Sequence, residues 1–226
     1  MLSGYIGQQI RRCNRNLLIT NVLLIAIVLL ITFPVISAGG LTEHWFLTLC
    51  GLVILMVGGW NLWNWRKRTS DCRCHPIYVR LSVFGNDPDQ LAQQIDSARQ
   101  SYPPTAIGSV SISGPWMLKT SPLGLTFFLV PDVVWVYQKV TTHKTNGVPT
   151  GKSFALLVYD RHGYSAEVQS GKNNVEGLMA YFRQQCPWAL SGYGDDLVKM
   201  WRSRRAELIA AVDERRKYMT GLAAGA

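Results

Sequence analysis

The sequence predicts a membrane-anchored α+β protein: an N-terminal transmembrane helical hairpin followed by an antiparallel β-rich domain with flanking helices. Three observations carry this. First, two blocks, about 17–37 and 45–65, are 21 residues each and hold no charge. As helices each would rise roughly 30 Å, the thickness of a bilayer's hydrocarbon core. Second, basic residues crowd the outer flanks of these blocks and avoid the stretch between them. Third, from Thr105 onward the apolar pattern shortens to period two, punctuated by turn residues at hairpin spacing. Residues 1–68 are thus a basic segment with two spans, and 69–226 form a cytosolic α+β domain of about 160 residues, enough for one core.

The flanks give the topology. Arg11, Arg12 and Arg15 precede the first block, and Arg66, Lys67 and Arg68 follow the second, whereas Ala38 to His44 contains no Lys or Arg. Positive charge stays on the cytoplasmic side, so both termini are expected there, in a multi-pass protein of the plasma or inner membrane. Trp45 opens the second span and Trp60, Trp63 and Trp65 close it, where amphipathic rings favour the headgroup layer. These six basic and four aromatic residues are the expected interface anchors. A signal peptide also begins with a basic region and an apolar core, and cleavage after Ser37-Ala38-Gly39 would invert the topology. The length of the first block and the second block close behind it argue for anchoring instead. Asn21, Pro34 and the Gly58-Gly59 pair fit tolerated irregularity and close helix packing. With no ionisable group at membrane depth, transport by this chain alone is not expected.

The net charge of +9 divides into +5 over residues 1–70 and +4 over 71–226. The basicity is therefore mostly a membrane signature, and nucleic acid is not an expected partner. Five cysteines are an odd number. Cys72-Arg-Cys74-His75 has thiolates and an imidazole, but lacks the spacing and the second pair that a structural zinc site needs, so no metal is expected. Cys13, Cys72 and Cys74 are juxtamembrane and could carry palmitoyl groups; unmodified thiols are the simpler reading.

In the cytosolic domain Ile77 to Phe84 reads as a strand ended by Gly85. Asp87-Pro88 starts a helix with Leu91, Ile95 and Ala98 on one face, stopped by Pro103-Pro104. Strands follow at 109–113, 116–120, 125–130, 133–140, 154–160 and 164–169, consistent with an antiparallel sheet or partly closed barrel. Asn173-Asn174 would cap a helix carrying Val175, Leu178, Met179 and Phe182 at i, i+3, i+4 and i+7. A single basic amphipathic helix spans about 195–219, its face either solvated or resting on headgroups.

Gly147-Val-Pro-Thr-Gly151-Lys152-Ser153 imitates a phosphate loop, but has one residue too few between its glycines and a strand where a helix is needed, so no nucleotide cofactor is expected. The ordinary reading is a long hairpin loop from Thr141 to Lys152. Lys139, His143, Lys144 and Lys152, with Arg161 on a neighbouring turn, are candidate contacts for anionic lipid headgroups. No motif of nucleophilic or metal-dependent hydrolysis surrounds His75, His143 or His162, and Asp160-Arg-His-Gly163 has the chemistry of a tight turn. No catalytic residue is expected. Trp116, Trp135, Trp188 and Tyr193 are core candidates, or contacts where exposed beside that loop.

The order of elements resembles bacterial membrane proteins with pleckstrin-homology-like domains, where a short transmembrane hairpin precedes a cytosolic β-rich domain. Pro131-Asp-Val-Val-Trp-Val-Tyr137, Tyr159-Asp-Arg-His-Gly163 and Cys186-Pro-Trp-Ala-Leu-Ser-Gly-Tyr193 are similar to a family of membrane-anchored domains with no assigned activity. The helix 87–101, placed between a first strand and the rest, departs from the simple pleckstrin-like order. The resemblance implies the fold and no site residue. The expected function is a non-enzymatic binding or scaffold protein contacting a protein partner, a second copy or anionic lipid. The alternatives are a structural subunit of a larger membrane complex and an enzyme with an unrecognised site.

Overall fold

The computed structural model describes residues 4–37, 45–84 and 87–224. The chain divides into two compact units, Met1–Gln93 with Pro122–Gly124, and Gln94–Ser121 with Leu125–Ala226. The connection 38–44 and the expected strand end at Gly85 lie outside the described residues.

The first unit begins with α1 (Tyr5–Ser37) and α2 (Trp45–Ser70). Among the described residues one stretch, Tyr5–Phe33, is long and apolar enough to cross a membrane. It starts well before the charge-free block, because nothing in the basic segment breaks a helix. On α1 the protected positions are Asn21, Ile25, Val28 and Thr32, an i, i+4, i+7, i+11 stripe; on α2 Gly51 and Gly58 are protected, seven apart. These stripes meet. A methyl group at Gly51 would lie 2.8 Å from Thr32 Cγ2, and one at Gly58 would lie 3.1 Å from Ile25 Cγ1. Small residues at heptad spacing let two helix backbones approach closely. The polar groups along the stripe turn inward on their own helix: Asn21 Nδ2 donates to the Leu17 carbonyl and Thr32 Oγ1 to that of Val28, at 2.7 and 2.8 Å. Away from the stripe, large apolar side chains such as Leu23, Leu30, Phe33, Met56 and Trp60 are all more than half exposed. On α1 such an apolar exterior fits the candidate membrane span Tyr5–Phe33.

Behind α2, a 3₁₀ turn (Cys72–Cys74) leads into α3 (Pro76–Ser82) and α4 (Pro88–Ser101). The strand expected over Ile77 to Phe84 is therefore a helix. Pro76 supplies a first-turn residue with no N–H to satisfy, and the His75 ring accepts the Ile77 N–H at 3.2 Å. Ile77, Tyr78 and Leu81 are then buried together as one helical face. The β-branched composition suggested a strand, but the cap decided the local structure. The expected cap of α4 is present, with the Asp89 N–H donating to Asp87 Oδ1.

His75 is 2 % exposed, and its imidazole is pushed down from its ordinary value to about 4, first by burial and then by the Arg68 charge. The unfolded chain takes up a proton near pH 6.5 while the folded chain does not until about pH 4. Stability is thus full above pH 6.5 and falls as the pH drops toward 4, by about 3 kcal/mol at most. Thermal unfolding of the full chain in detergent is expected to show this loss. His75→Asn, which keeps a neutral cap, is expected to flatten the slope in that window.

The second unit holds two four-stranded sheets, of strand order β1-β2-β3-β4 and β7-β6-β5-β8. The first contains β1 (Thr105–Ile107), β2 (Val110–Ser113), β3 (Trp116–Ser121) and β4 (Gly124–Leu129). The second contains β5 (Val133–Thr145), β6 (Val148–Asp160), β7 (Ser165–Ser170) and the short β8 (Leu190–Ser191), which pairs parallel with β5. Alternation sorts the second sheet's side chains between two cores. Val136, Leu156, Val158 and Val168 join Val110, Ile112, Met117 and Phe128 of the first sheet, closed by Val175, Leu178, Met179 and Phe182 of α5 (Lys172–Gln185). Val134, Trp135 and Tyr137 point to the opposite side, where Trp201, Leu208 and Val212 cover them.

Two further expectations change. The cap of α5 is Gly171 without a side-chain bond, and Asn174 instead donates to Ser170 Oγ at 2.9 Å. The final helix is two, α6 (Asp195–Ser203) and α7 (Arg205–Ala224), broken at Arg204. There the Arg204 N–H closes α6 on the Met200 carbonyl, and the Arg204 carbonyl opens α7 by accepting from Glu207 and Leu208.

Candidate interaction surface

The segment expected as a loop, Thr141 to Lys152, is instead a ladder. β5 and β6 stay paired from Tyr137↔Leu157 through Thr141↔Ser153 and Thr142↔Lys152 out to Thr145↔Val148, with one irregularity at His143/Lys144. The turn is Asn146-Gly147, both with positive φ (51° and 83°). That pair matches the right-handed twist of the strands and so permits a two-residue connection. Loop composition masked this, because a Thr, Lys and Gly-rich stretch with one proline has few apolar residues to show period two. The neighbouring strands end early: β8 reaches only Val136, and β7 ends at the Phe154↔Ser170 pair. Beyond them the hairpin is a free two-stranded arm about 20 Å long, at 3.3 Å per residue.

Every residue from Lys139 to Ser153 is exposed, and none is acidic. Lys139 at the base is 3.8 Å from Glu167 Oε1, an ion pair between well-exposed groups that adds little to stability. His143 Nε2 lies 3.0 Å from Ser153 Oγ across the ladder. Lys144 and Lys152 make no ion pair among the described residues. Residues opposite one another in the ladder share a face. Lys139, Thr141, His143 and Ser153 therefore form one side of the arm, while Val140, Thr142 and Lys152 form the other, which continues the face that β6 turns toward α5.

Arg161 does not belong to this group. It stands at the far end of β6, where it pairs with Asp213 of α7 and lies 3.8 Å from Asp132 Oδ1. His162 Nε2 is 3.4 Å from Asp132 Oδ2, and the buried Asp160 accepts the Tyr164 N–H at 2.8 Å, holding the turn at Gly163. Chain separation of nine residues from Lys152 concealed this distance, since those residues are extended along β6. Arg161 is a structural cation.

An aromatic cluster lies on the α6 side of the second sheet. Trp135 packs against Tyr137 and Tyr159 with ring centroids 4.7 Å apart in both cases, and Tyr159 meets Trp201 edge-on at 4.9 Å. Trp135 and Trp116 are buried and Trp188 is half-buried beneath the Arg216 guanidinium. Tyr193, in contrast, is 61 % exposed while touching Tyr137, two residues before Lys139. It joins the base of the arm as a contact candidate. The Tyr137 and Tyr159 hydroxyls are 3.4 Å apart, and burial first, then this contact, raises the Tyr159 phenol above its ordinary value.

Three further titratable groups hold local structure. Cys186 donates from Sγ to the Val130 carbonyl at 3.0 Å, and burial pushes its thiol up to about 12, leaving it protonated at neutral pH. Cys74 donates to Asp71 and His75 caps α3. Among the described residues no three His, Cys, Asp or Glu side chains converge as a metal site would need. The anchor candidates Arg11, Arg12, Arg15, Trp45, Trp60, Trp63, Arg66 and Lys67 are exposed on α1 and α2, and Trp65 and Arg68 partly so.

No curated protein and no solved structure matches the chain. Residues 103–201, which hold both sheets, α5 and most of α6, match a family model described as "Domain of unknown function (DUF6709)".

Proposed function

We propose that this chain is a two-span, non-enzymatic binding protein of the plasma or inner membrane. Both termini are cytoplasmic, and the basic arm of its β-rich domain contacts an anionic lipid surface. The observation that carries the reading is the arm itself: fifteen consecutive exposed residues with three lysines, one histidine and no acid, on a ribbon that reaches beyond its own sheet. An acid-free projection is electrostatically complementary to an anionic leaflet, where each nearby Lys contributes about 1 kcal/mol. A membrane anchor on the same chain raises the local concentration of that surface. The apolar exteriors of α1 and α2 and the cationic residues at their outer ends support two spans with the positive side inward.

A pleckstrin-like fold is supported by the strand order. With Ile77–Ser82 helical, no strand precedes the helix 88–101 among the described residues, and the chain then runs four strands, then three, then the closing helix α5. That is the order the resemblance implies, with β8, α6 and α7 added after it.

Hydrogen exchange of the full chain in proteoliposomes tests the arm. Amides of 139–153 are expected to exchange at least threefold more slowly on bilayers containing phosphatidylglycerol than on phosphatidylcholine alone. The difference should vanish in Lys144→Glu/Lys152→Glu. Equal exchange on the two bilayers would dispose of lipid contact, and protection that instead follows protein concentration would identify a second copy as the partner.

A further inference from the structure

We infer that the cleft between the basic ends of α1 and α2 is a binding site for one anionic phospholipid. The two helices are in contact along the Thr32–Gly51 and Ile25–Gly58 seam. Followed back toward the outer ends, the same α1 stripe continues at heptad spacing through Asn14, Arg11 and Gly7. There the seam opens into a cavity of about 230 Å³, lined by Gly7, Ile10, Arg11 and Asn14 from α1 and by Arg68 and Thr69 from α2. One guanidinium thus comes from each helix, and among the described residues neither makes an ion pair. Two arginine forks facing one cavity match the oxygens of a phosphate ester, which can accept bidentate bonds.

The depth matches as well. Arg11 stands six residues outside Leu17 and Arg68 three outside Trp65, about 9 and 4.5 Å along a helix. The headgroup layer is about 5–8 Å thick on each side of the hydrocarbon core. Arg68 therefore stands within the headgroup layer and Arg11 just beyond its outer edge, close enough for its long side chain to reach back to lipid phosphates. Just inside, α1 and α2 present exposed apolar surface, including Ile19, Val22 and Trp60, against which acyl chains can lie. Cations and apolar surface arranged in this order complement an amphiphile, whereas free phosphate would use only the first. The inference rests on both helices crossing the bilayer.

The full chain, reconstituted in nanodiscs of equal phosphatidylglycerol and phosphatidylcholine and released into neutral detergent, tests it by native mass spectrometry. One phosphatidylglycerol per chain is expected to remain, at least tenfold more than phosphatidylcholine. Arg11→Gln/Arg68→Gln should lower retention at least tenfold, while the charge-matched Arg12→Gln/Arg15→Gln should keep it. Thr69→Trp, which obstructs the cleft without altering charge, should also lower it. Equal retention in the parent and Arg11→Gln/Arg68→Gln chains overturns the site, as does equal loss in both double variants, which would mean general charge attraction. Release of the lipid by millimolar inorganic phosphate would assign the cavity to free phosphate and overturn the lipid. Alkaline carbonate extraction separates the two layers of the claim: a stripped chain refutes the anchor, and a retained chain without bound phosphatidylglycerol refutes only the cleft.

Discussion

Replacing Trp135 by alanine is expected to remove about 4 kcal/mol from the stability of the second unit. The ring is 1 % exposed, stacks against Tyr137 and Tyr159, and its Nε1 donates to the Gly192 carbonyl at 2.9 Å. The loss therefore has two parts, a large cavity and an acceptor left without its donor. Because domains are stable by only about 5–15 kcal/mol, a change of this size takes much of the margin. Denaturant unfolding of the full chain, followed by near-ultraviolet circular dichroism, measures it. Trp135→Phe keeps most of the volume and loses the hydrogen bond, so a fall of about 1–2 kcal/mol is expected. Equal losses in the two variants would show that ring packing is not what holds α6 and α7 to the sheet.

The second large effect is expected in the first unit. Gly51→Leu forces a side chain into the space held by Thr32 Cγ2, 2.8 Å from where the new Cβ would stand, with Val28 Cγ1 3.7 Å away. Turning Thr32 aside would break its bond to the Val28 carbonyl, so the leucine is expected to push the helices apart, at a cost of about 1–3 kcal/mol. Gly59 has no atom within 4 Å of its added Cβ, and Gly59→Leu is expected to change almost nothing. Thermal stability and limited proteolysis of the two variants in the same detergent compare them directly. If both behave alike, the seam does not hold the pair together.

How the surface is used follows from the same contrast between packed and unpacked elements. Both Trp135 and the Gly51 seam lie where close neighbours exist. Among the described residues the β5–β6 arm touches little beyond its own ladder apart from the exposed Lys139–Glu167 pair, so substitutions there should alter contact with other molecules and leave stability near its parent value. Val140 and Val148, 49 % and 63 % exposed, show how little the arm buries. Surface substitutions of this kind usually change stability by less than about 0.5 kcal/mol.

Sequence patterning by itself determined the features that depend on local chemistry and periodicity. The two apolar blocks, the Asp87-Pro88 helix start, the alternating strands after Thr105 and the Val175–Phe182 stripe are each legible in a short window, because burial on one face imposes its own period. Two other signals, the His75 cap on Ile77 and the Asn146-Gly147 turn, are local, but β-branched and polar composition outweighed them because neither a cap nor a turn shows in an apolar pattern. Tertiary structure decided what depends on partners distant in the chain. Arg161 and Lys152 were separated by the Ser153–Asp160 part of β6, and Arg11 and Arg68 were brought to one cleft by a helix pairing that rests on glycines. Local free energies are written into neighbouring residues; the positions of charges relative to one another are set by packing, which sums contacts from the whole chain.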